Sequence, residues 1–180
     1  MTNNLVVRLA RRLELWTYRN AEIVNAVTDG IRDILVTVKG VDSHKVMFLP
    51  NGVDIDLFSP WRPDLELQHR FNWEDRATFL YAGTHGYAQG LEVMMQAVLQ
   101  PPNQAVIFIF VGDGPAKAQL IWMEEEHRLS NVVFADAASL TKMPAYYSIV
   151  TAATVTLRDI SLFRMARPTN MLPTLPLGFL

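Results

Sequence analysis

Apolar residues recur along the chain at helical spacing in some stretches and as short unbroken runs in others, and this alternation predicts the elements. In residues 4–19, Leu5, Leu9, Leu13 and Trp16 share one face of a helix, and Arg8, Arg11, Arg12 and Arg19 cluster beside it. Such a helix suits an anionic membrane surface or the flank of a neighbouring domain, the second being the plainer expectation. Ala21–Val27 reads as a strand. Thr28 is placed to cap a helix that carries Ile31, Ile34, Leu35 and Val38 and ends at Gly40. Lys45–Pro50 is a further strand stopped by proline, and Pro50–Asp54 is a turn. Residues 55–76 hold prolines at 60 and 63 and little periodicity, which predicts a linker running over a surface.

From residue 77 the rhythm becomes β-α-β-α. Strands are predicted at 77–82, 105–111, 132–134 and 152–157, with helices over 90–100, from Pro115 to about Arg128, and over 141–149. Pro101 and Pro102 close the first of these helices, Arg158–Pro168 is a loop, and a helical turn is expected within 171–177. Strands alternating with helices predict an α/β domain, a Rossmann-like parallel sheet with helices on both faces. Residues 1–54 form a short α/β appendage to it, 55–76 the linker, and 77–180 the main domain.

The loop after the first strand of that domain, Tyr81-Ala-Gly-Thr-His-Gly-Tyr-Ala-Gln-Gly90, has glycines at 83, 86 and 90. Glycine lets backbone approach a ligand closely, and the N–H groups of a following helix start attract anions. Strand, glycine loop and helix is how an open α/β sheet offers donors to a phosphate, although such a turn also serves merely to connect. The spacing is neither that of a dinucleotide fingerprint nor that of a P-loop.

Composition then removes several classes. A net charge of −2 gives no field that would recruit nucleic acid. With no cysteine, disulfides and thiol catalysis are excluded. The four histidines, at 44, 69, 85 and 127, are scattered, so no metal site is expected. No run approaches the roughly 18 apolar residues of a membrane-spanning helix, and the N-terminus has no signal-peptide core. A cytoplasmic location is expected, to which the basic helix would add a peripheral contact at the inner membrane face.

Several strings resemble one family in its own order and spacing. Phe48-Leu-Pro-Asn-Gly-Val-Asp54 followed by Phe58 is similar to the crossover between the two domains of family-four glycosyltransferases. Tyr81-Ala-Gly83 with Gln89-Gly90-Leu91, Phe110-Val-Gly-Asp-Gly-Pro115, Asn131-Val132, and Leu157-Arg-Asp159 through Arg167-Pro168 follow in register. Tyr18–Ile34 resembles the last strand and helix of the family's N-terminal domain, and the form of the glycine loop resembles a subgroup making bacterial cell-surface polysaccharides.

The resemblance implies a GT-B architecture, with the present chain carrying part of the C-terminal, donor-binding domain and a remnant of the N-terminal, acceptor domain. It implies a nucleotide-diphosphate sugar as donor substrate, no cofactor, and retaining transfer without a metal. It assigns the phosphate side of the donor to Gly83, Thr84, His85, Gly86, Gln89, Arg164 and Arg167, and the nucleotide side to Gly112, Asp113, Gly114 and Asn170. Turn formation is the plainer reading of Asp113, and His85 reads equally as an exposed loop residue. Thr84 and Gln89 are neutral where relatives often carry cations, and Asn170 and Pro173 stand where the family pattern has a basic residue and a glutamate. These departures put donor geometry in doubt, and with most of the acceptor half of the cleft outside these residues, transfer by this chain alone is not expected. The alternatives are a non-catalytic nucleotide-sugar or interaction module and, last, a GT-B-shaped nucleotide-sugar epimerase.

Overall fold

A computed structural model describes residues 5–59, 62–71, 76–100, 105–161 and 163–178, so Pro60 and the Pro101–Pro102 stop lie outside the described residues. The chain divides into two compact units, residues 1–52 with 160–167, and residues 53–159 with 168–180.

The first unit contains helix α1 (Leu5–Asn20), strand β1 (Val24–Ala26), helix α2 (Asp29–Thr37) and strand β2 (Val46–Phe48), with β1 and β2 paired in parallel. The expected cap is present: the Ile31 N–H donates to Thr28 Oγ1 at 3.2 Å. The same hydroxyl donates to Met165 O at 2.7 Å, which ties the 160–167 segment to this unit. Its core is small, Ala26, Leu35 and Val41 with Tyr18, Val24, Ile31 and Val46 packed around them. α1 meets this core through its Tyr18 side and through Glu14, which accepts from Lys39 at 2.7 Å. Leu5, Leu9, Leu13 and Trp16 are exposed.

The second unit is built on β3 (Ala77–Ala82), β4 (Val106–Val111), β5 (Val132–Ala135) and β6 (Ala152–Thr154), in the order β5-β4-β3-β6. Every neighbouring pair is parallel. Period-two alternation along β4 explains why both faces are covered. Ile107, Ile109 and Val111 join Leu80, Phe58, Tyr147 and Ile149 in one apolar cluster. Phe108 and Phe110 join Tyr81, Leu91, Met94, Met95, Val98 and Leu120 in the other. The connections run through α4 (Glu92–Val98), α5 (Lys117–His127) and α6 (Met143–Ser148). α5 ends where Arg128 takes the left-handed conformation, with φ 51°.

Besides β1 and β2, which are shorter than the strands expected at 21–27 and 45–50, three elements differ from the sequence reading. Residues 55–76 are more than a linker: they contain α3 (Leu65–Phe71), and Phe58 is buried, edge-on to Tyr147 at 6.1 Å between ring centroids. One isolated aromatic carries no periodicity, so its burial has no pattern to announce it. α4 is only seven residues long and starts at Glu92 rather than 90. β6 ends at Thr154 because its partner β3 pairs with it only as far as Tyr81.

The strand order fixes where a ligand would sit. From β3 the chain steps to β4 and β5 on one side and then returns to β6 on the other. The loops leaving β3 and β6 thus diverge, and the crevice between them at the carboxyl edge is the topological switch point where open α/β sheets bind ligands.

The burial of Phe58 makes a direct prediction. Phe58→Ala should destabilise the second unit by about 3–5 kcal/mol, read as a lower urea midpoint, whereas Ile55→Ala, at an exposed position, should leave the midpoint unchanged.

Candidate functional site

The loops after β3 and β4 are locked together by backbone. Gly83 N–H donates to Val111 O at 3.0 Å, His85 N–H to Asp113 O at 2.8 Å, and Ala116 N–H to His85 O at 2.8 Å. These bonds prolong the β3–β4 pairing beyond the strands, and they bring the two backbones too close for side chains. A Cβ on Gly112 would run into Gly83 O and come within 3.3 Å of His85 Nε2. One on Gly114 would lie 2.6 Å from His85 O. Both glycines also have φ in the range that L-residues avoid, 147° and 154°.

Side chains complete the clamp. Tyr81 is buried below the loop and its hydroxyl donates to Thr84 O at 2.9 Å. Burial pushes that phenol up to about 12, so it remains a donor. Asn170 Nδ2 donates to Ala82 O at 3.3 Å, placing Asn170 at the end of β3. Asp113 Oδ1 accepts from Gly114 N–H at 2.7 Å, a turn-forming role. Gln89 folds back, its Oε1 lying 2.5 Å from where a Gly86 Cβ would be. With the Gly83, His85 and Gln89 N–H groups engaged by carbonyls, the N–H groups of Thr84 and Gly86 have no protein partner among the described residues.

His85 is the main departure from expectation. Its imidazole is not exposed on the loop but wholly buried, among the rings of Tyr81, Phe110 and Phe134. Burial, reinforced by the charge of Lys117 and only partly opposed by Asp113, lowers it to about 4. It is a neutral group inside the loop, and it cannot bring positive charge to a phosphate at neutral pH. Among the described residues neither ring nitrogen has a hydrogen-bond partner. Among the described residues only one further buried side-chain atom is in that position, Thr156 Oγ1, in the segment that follows β6. Unpaired buried polar groups are rare and call for an explanation. Here both lie in the loops that diverge at the switch point.

Two residues of this site were missed by the sequence reading. Lys117, at the start of α5, is largely buried, with its Nζ 3.0 Å from Gly112 O and 3.4 Å from both Ala135 O and Asp136 Oδ1. Its position two residues after Pro115 in Gly-Asp-Gly-Pro-Ala-Lys was the available signal. Arg158 crosses from the β6 side: its N–H donates to Ala88 O at 3.0 Å and its Nη2 meets Glu92 Oε1 at 2.6 Å. The glycine loops, Gln89 and Asn170 are thus gathered in the second unit. Arg164 and Arg167 belong to the first, Arg164 in a 3-10 turn (Phe163–Met165) and both exposed.

Residues 2–57 match the family model described as Glycosyltransferase Family 4. The chain is 29% identical over 143 residues to the putative colanic acid biosynthesis glycosyl transferase WcaI of Escherichia coli K12, a match covering 78% of this chain and 35% of that protein. The resemblance to family-four glycosyltransferases is borne out. Among solved structures, Anabaena HepE in complex with UDP-glucose superposes with a TM-score of 0.71 at 18% identity, over 83% of this chain and 42% of that one. WaaG, a glycosyltransferase involved in lipopolysaccharide biosynthesis, superposes with a TM-score of 0.66 at 16% identity, over 87% and 46%. The fold is that of part of a GT-B glycosyltransferase. The chain spans less than half the length of each of these relatives.

The buried imidazole predicts a pH dependence with a definite sign. Unfolding returns His85 from about 4 to its ordinary 6.5, so the unfolded chain binds the extra proton and stability is lost as pH falls from 6.5 towards 4. The loss should approach roughly 3 kcal/mol. Urea midpoints at pH 7, 5.5 and 4.5 should fall in the wild type and fall distinctly less in His85→Leu.

Proposed function

We propose that this chain binds the diphosphate of a nucleotide sugar at the β3–α4 and β4–α5 loops, as the donor-binding part of a retaining, metal-independent glycosyltransferase of cell-surface glycan synthesis. The observation that carries this reading is the pair of glycine loops interlocked at the switch point, beside two buried polar groups without partners. Its fold is shared with a protein crystallised with UDP-glucose. Breaking the sugar–phosphate bond places negative charge on the leaving diphosphate, which donors already in position must stabilise. The backbone N–H groups of Thr84 and Gly86 are such donors, and Arg164 and Arg167 are the guanidinium groups proposed for the same charge.

A second reading, a nucleotide-sugar-binding module without transfer chemistry, draws on Pro173. It stands where the family pattern has a glutamate, inside the 3-10 stretch Thr169–Thr174, and leaves no carboxylate there. We accordingly expect the 180-residue chain to bind a nucleoside diphosphate and to show no sugar transfer; turnover on any acceptor would remove this second reading.

Calorimetry with UDP tests the first. Arg164→Ala and Arg167→Ala should each weaken binding by about 10- to 150-fold, the value of a charge-assisted hydrogen bond. Arg128→Ala, at the end of α5, should not change it. Equal effects at all three positions would withdraw the two arginines from the site, and absence of UDP binding by the wild type would withdraw the donor reading.

The proposed partners include an anionic membrane face, contacted through α1. That helix carries four arginines and one glutamate, and its exposed Leu5, Leu9, Leu13 and Trp16 form an apolar stripe of the kind that lies in a lipid interface. Flotation with vesicles containing anionic lipid should carry the wild type and leave Arg8→Glu/Arg12→Glu behind. Flotation of both, or of neither, would count against the contact. Among the described residues no helix is long and apolar enough to cross a membrane.

A further inference from the structure

The donor site as read above has an electrostatic gap. Thr84 and Gln89 are uncharged, His85 is neutral in its aromatic nest, and the Arg158 guanidinium is engaged by Glu92 at 2.6 Å. A diphosphate approaching Thr84 and Gly86 would meet few cations in this unit.

We infer that Lys117 is a positioning residue for that anion, holding the two glycine loops in place from below and supplying positive charge behind them. Its Nζ donates to Gly112 O at 3.0 Å and reaches Ala135 O at 3.4 Å, so one side chain pins the carboxyl ends of β4 and β5. Gly112 in turn leaves no room for a Cβ, which would meet Gly83 O and lie 3.3 Å from His85 Nε2. The chain of contact from Nζ to the β3–α4 loop is therefore a single residue long. The lysine side chain is 16% exposed, while Asp136, its ion-pair partner at 3.4 Å, is fully exposed. Water screens the carboxylate more than the buried cation, and a charge sunk among backbone carbonyls projects further than one in solvent. Asp113 is the other carboxylate facing this loop; it is exposed, and one of its oxygens is occupied by the Gly114 N–H. The lowering of the His85 pKa by Lys117 agrees with a field that reaches the loop interior.

This inference rests on the donor reading, and its test separates the two. UDP and uridine are titrated calorimetrically into the wild type, Lys117→Met and Lys117→Arg, with circular dichroism confirming that each variant is folded. In Lys117→Met, UDP affinity should fall roughly 10-fold or more while uridine affinity stays within about twofold, and Lys117→Arg should recover most of the UDP loss. Independently of any ligand, the His85 imidazole followed by NMR should titrate at higher pH in Lys117→Met than in the wild type. Failure of the wild type to bind UDP overturns the donor reading. Wild-type binding with equal losses for UDP and uridine, or with no loss for UDP, overturns the role of Lys117 alone. If neither substitution gives a folded protein, the NMR titration of Lys117→Gln decides: an unmoved His85 overturns the inference.

Discussion

The close approach of two backbones beyond the ends of β3 and β4 is the constraint on which the second unit's site depends. Parallel strands normally separate where their connections begin. Here the pairing continues through Gly83, His85 and Asp113 and returns from Ala116 to His85 O. The geometry is available only because residues 112 and 114 have no Cβ, since at either position one would overlap backbone of the opposite loop. The result is a stiff double loop in which the N–H groups of Thr84 and Gly86 are among those without a protein partner among the described residues. A loop held by backbone pays little reorganisation when charge appears beside it, and that is the physical requirement for stabilising a leaving diphosphate.

The same approach explains the state of His85. Its backbone is committed on both sides to the β4 loop, so its side chain is carried inward between Tyr81, Phe110 and Phe134. Burying a polar group without a partner costs on the order of 1–3 kcal/mol, and here two ring nitrogens are left bare. The aromatic surroundings offset this by packing, and the interlocked backbone prevents the ring from swinging out to water. A local cost borne by a well-supported neighbourhood is common where a loop is held ready for a ligand.

What was legible in the sequence follows from what leaves a local trace. β3 and β4 were read to within a residue, because Val106–Val111 is an unbroken apolar run and Ala77–Ala82 is apolar but for Thr78, and the Thr28 cap was legible as a hydroxyl before a periodic stretch. β6 was read three residues too long, since Val155 and Leu157 look like strand but the chain there leaves the sheet so that Arg158 N–H can reach Ala88 O. The inward turn of His85 could not be read, because a histidine between glycines has the same local pattern in or out. The assignment of 160–167 to the first unit, where Thr28 bonds Met165 across 137 positions, comes from long-range contacts that no local pattern records.

Charge is the feature that separates this loop from the family pattern it resembles, and its consequence can be argued from placement. A cation on the loop itself would sit in water, where a charge pair at contact is worth about 1 kcal/mol. Lys117 instead lies beneath the loop, its charge shared with carbonyl dipoles and only weakly with an exposed carboxylate. There its field passes through packed protein, in which the same interaction is several times stronger. Moving positive charge from the surface of a loop to its underside exchanges a direct contact for a fixed background potential. Such a potential favours any anion at the loop and selects little between them. Selectivity between anions would then have to come from groups in direct contact with them, which a background potential does not supply.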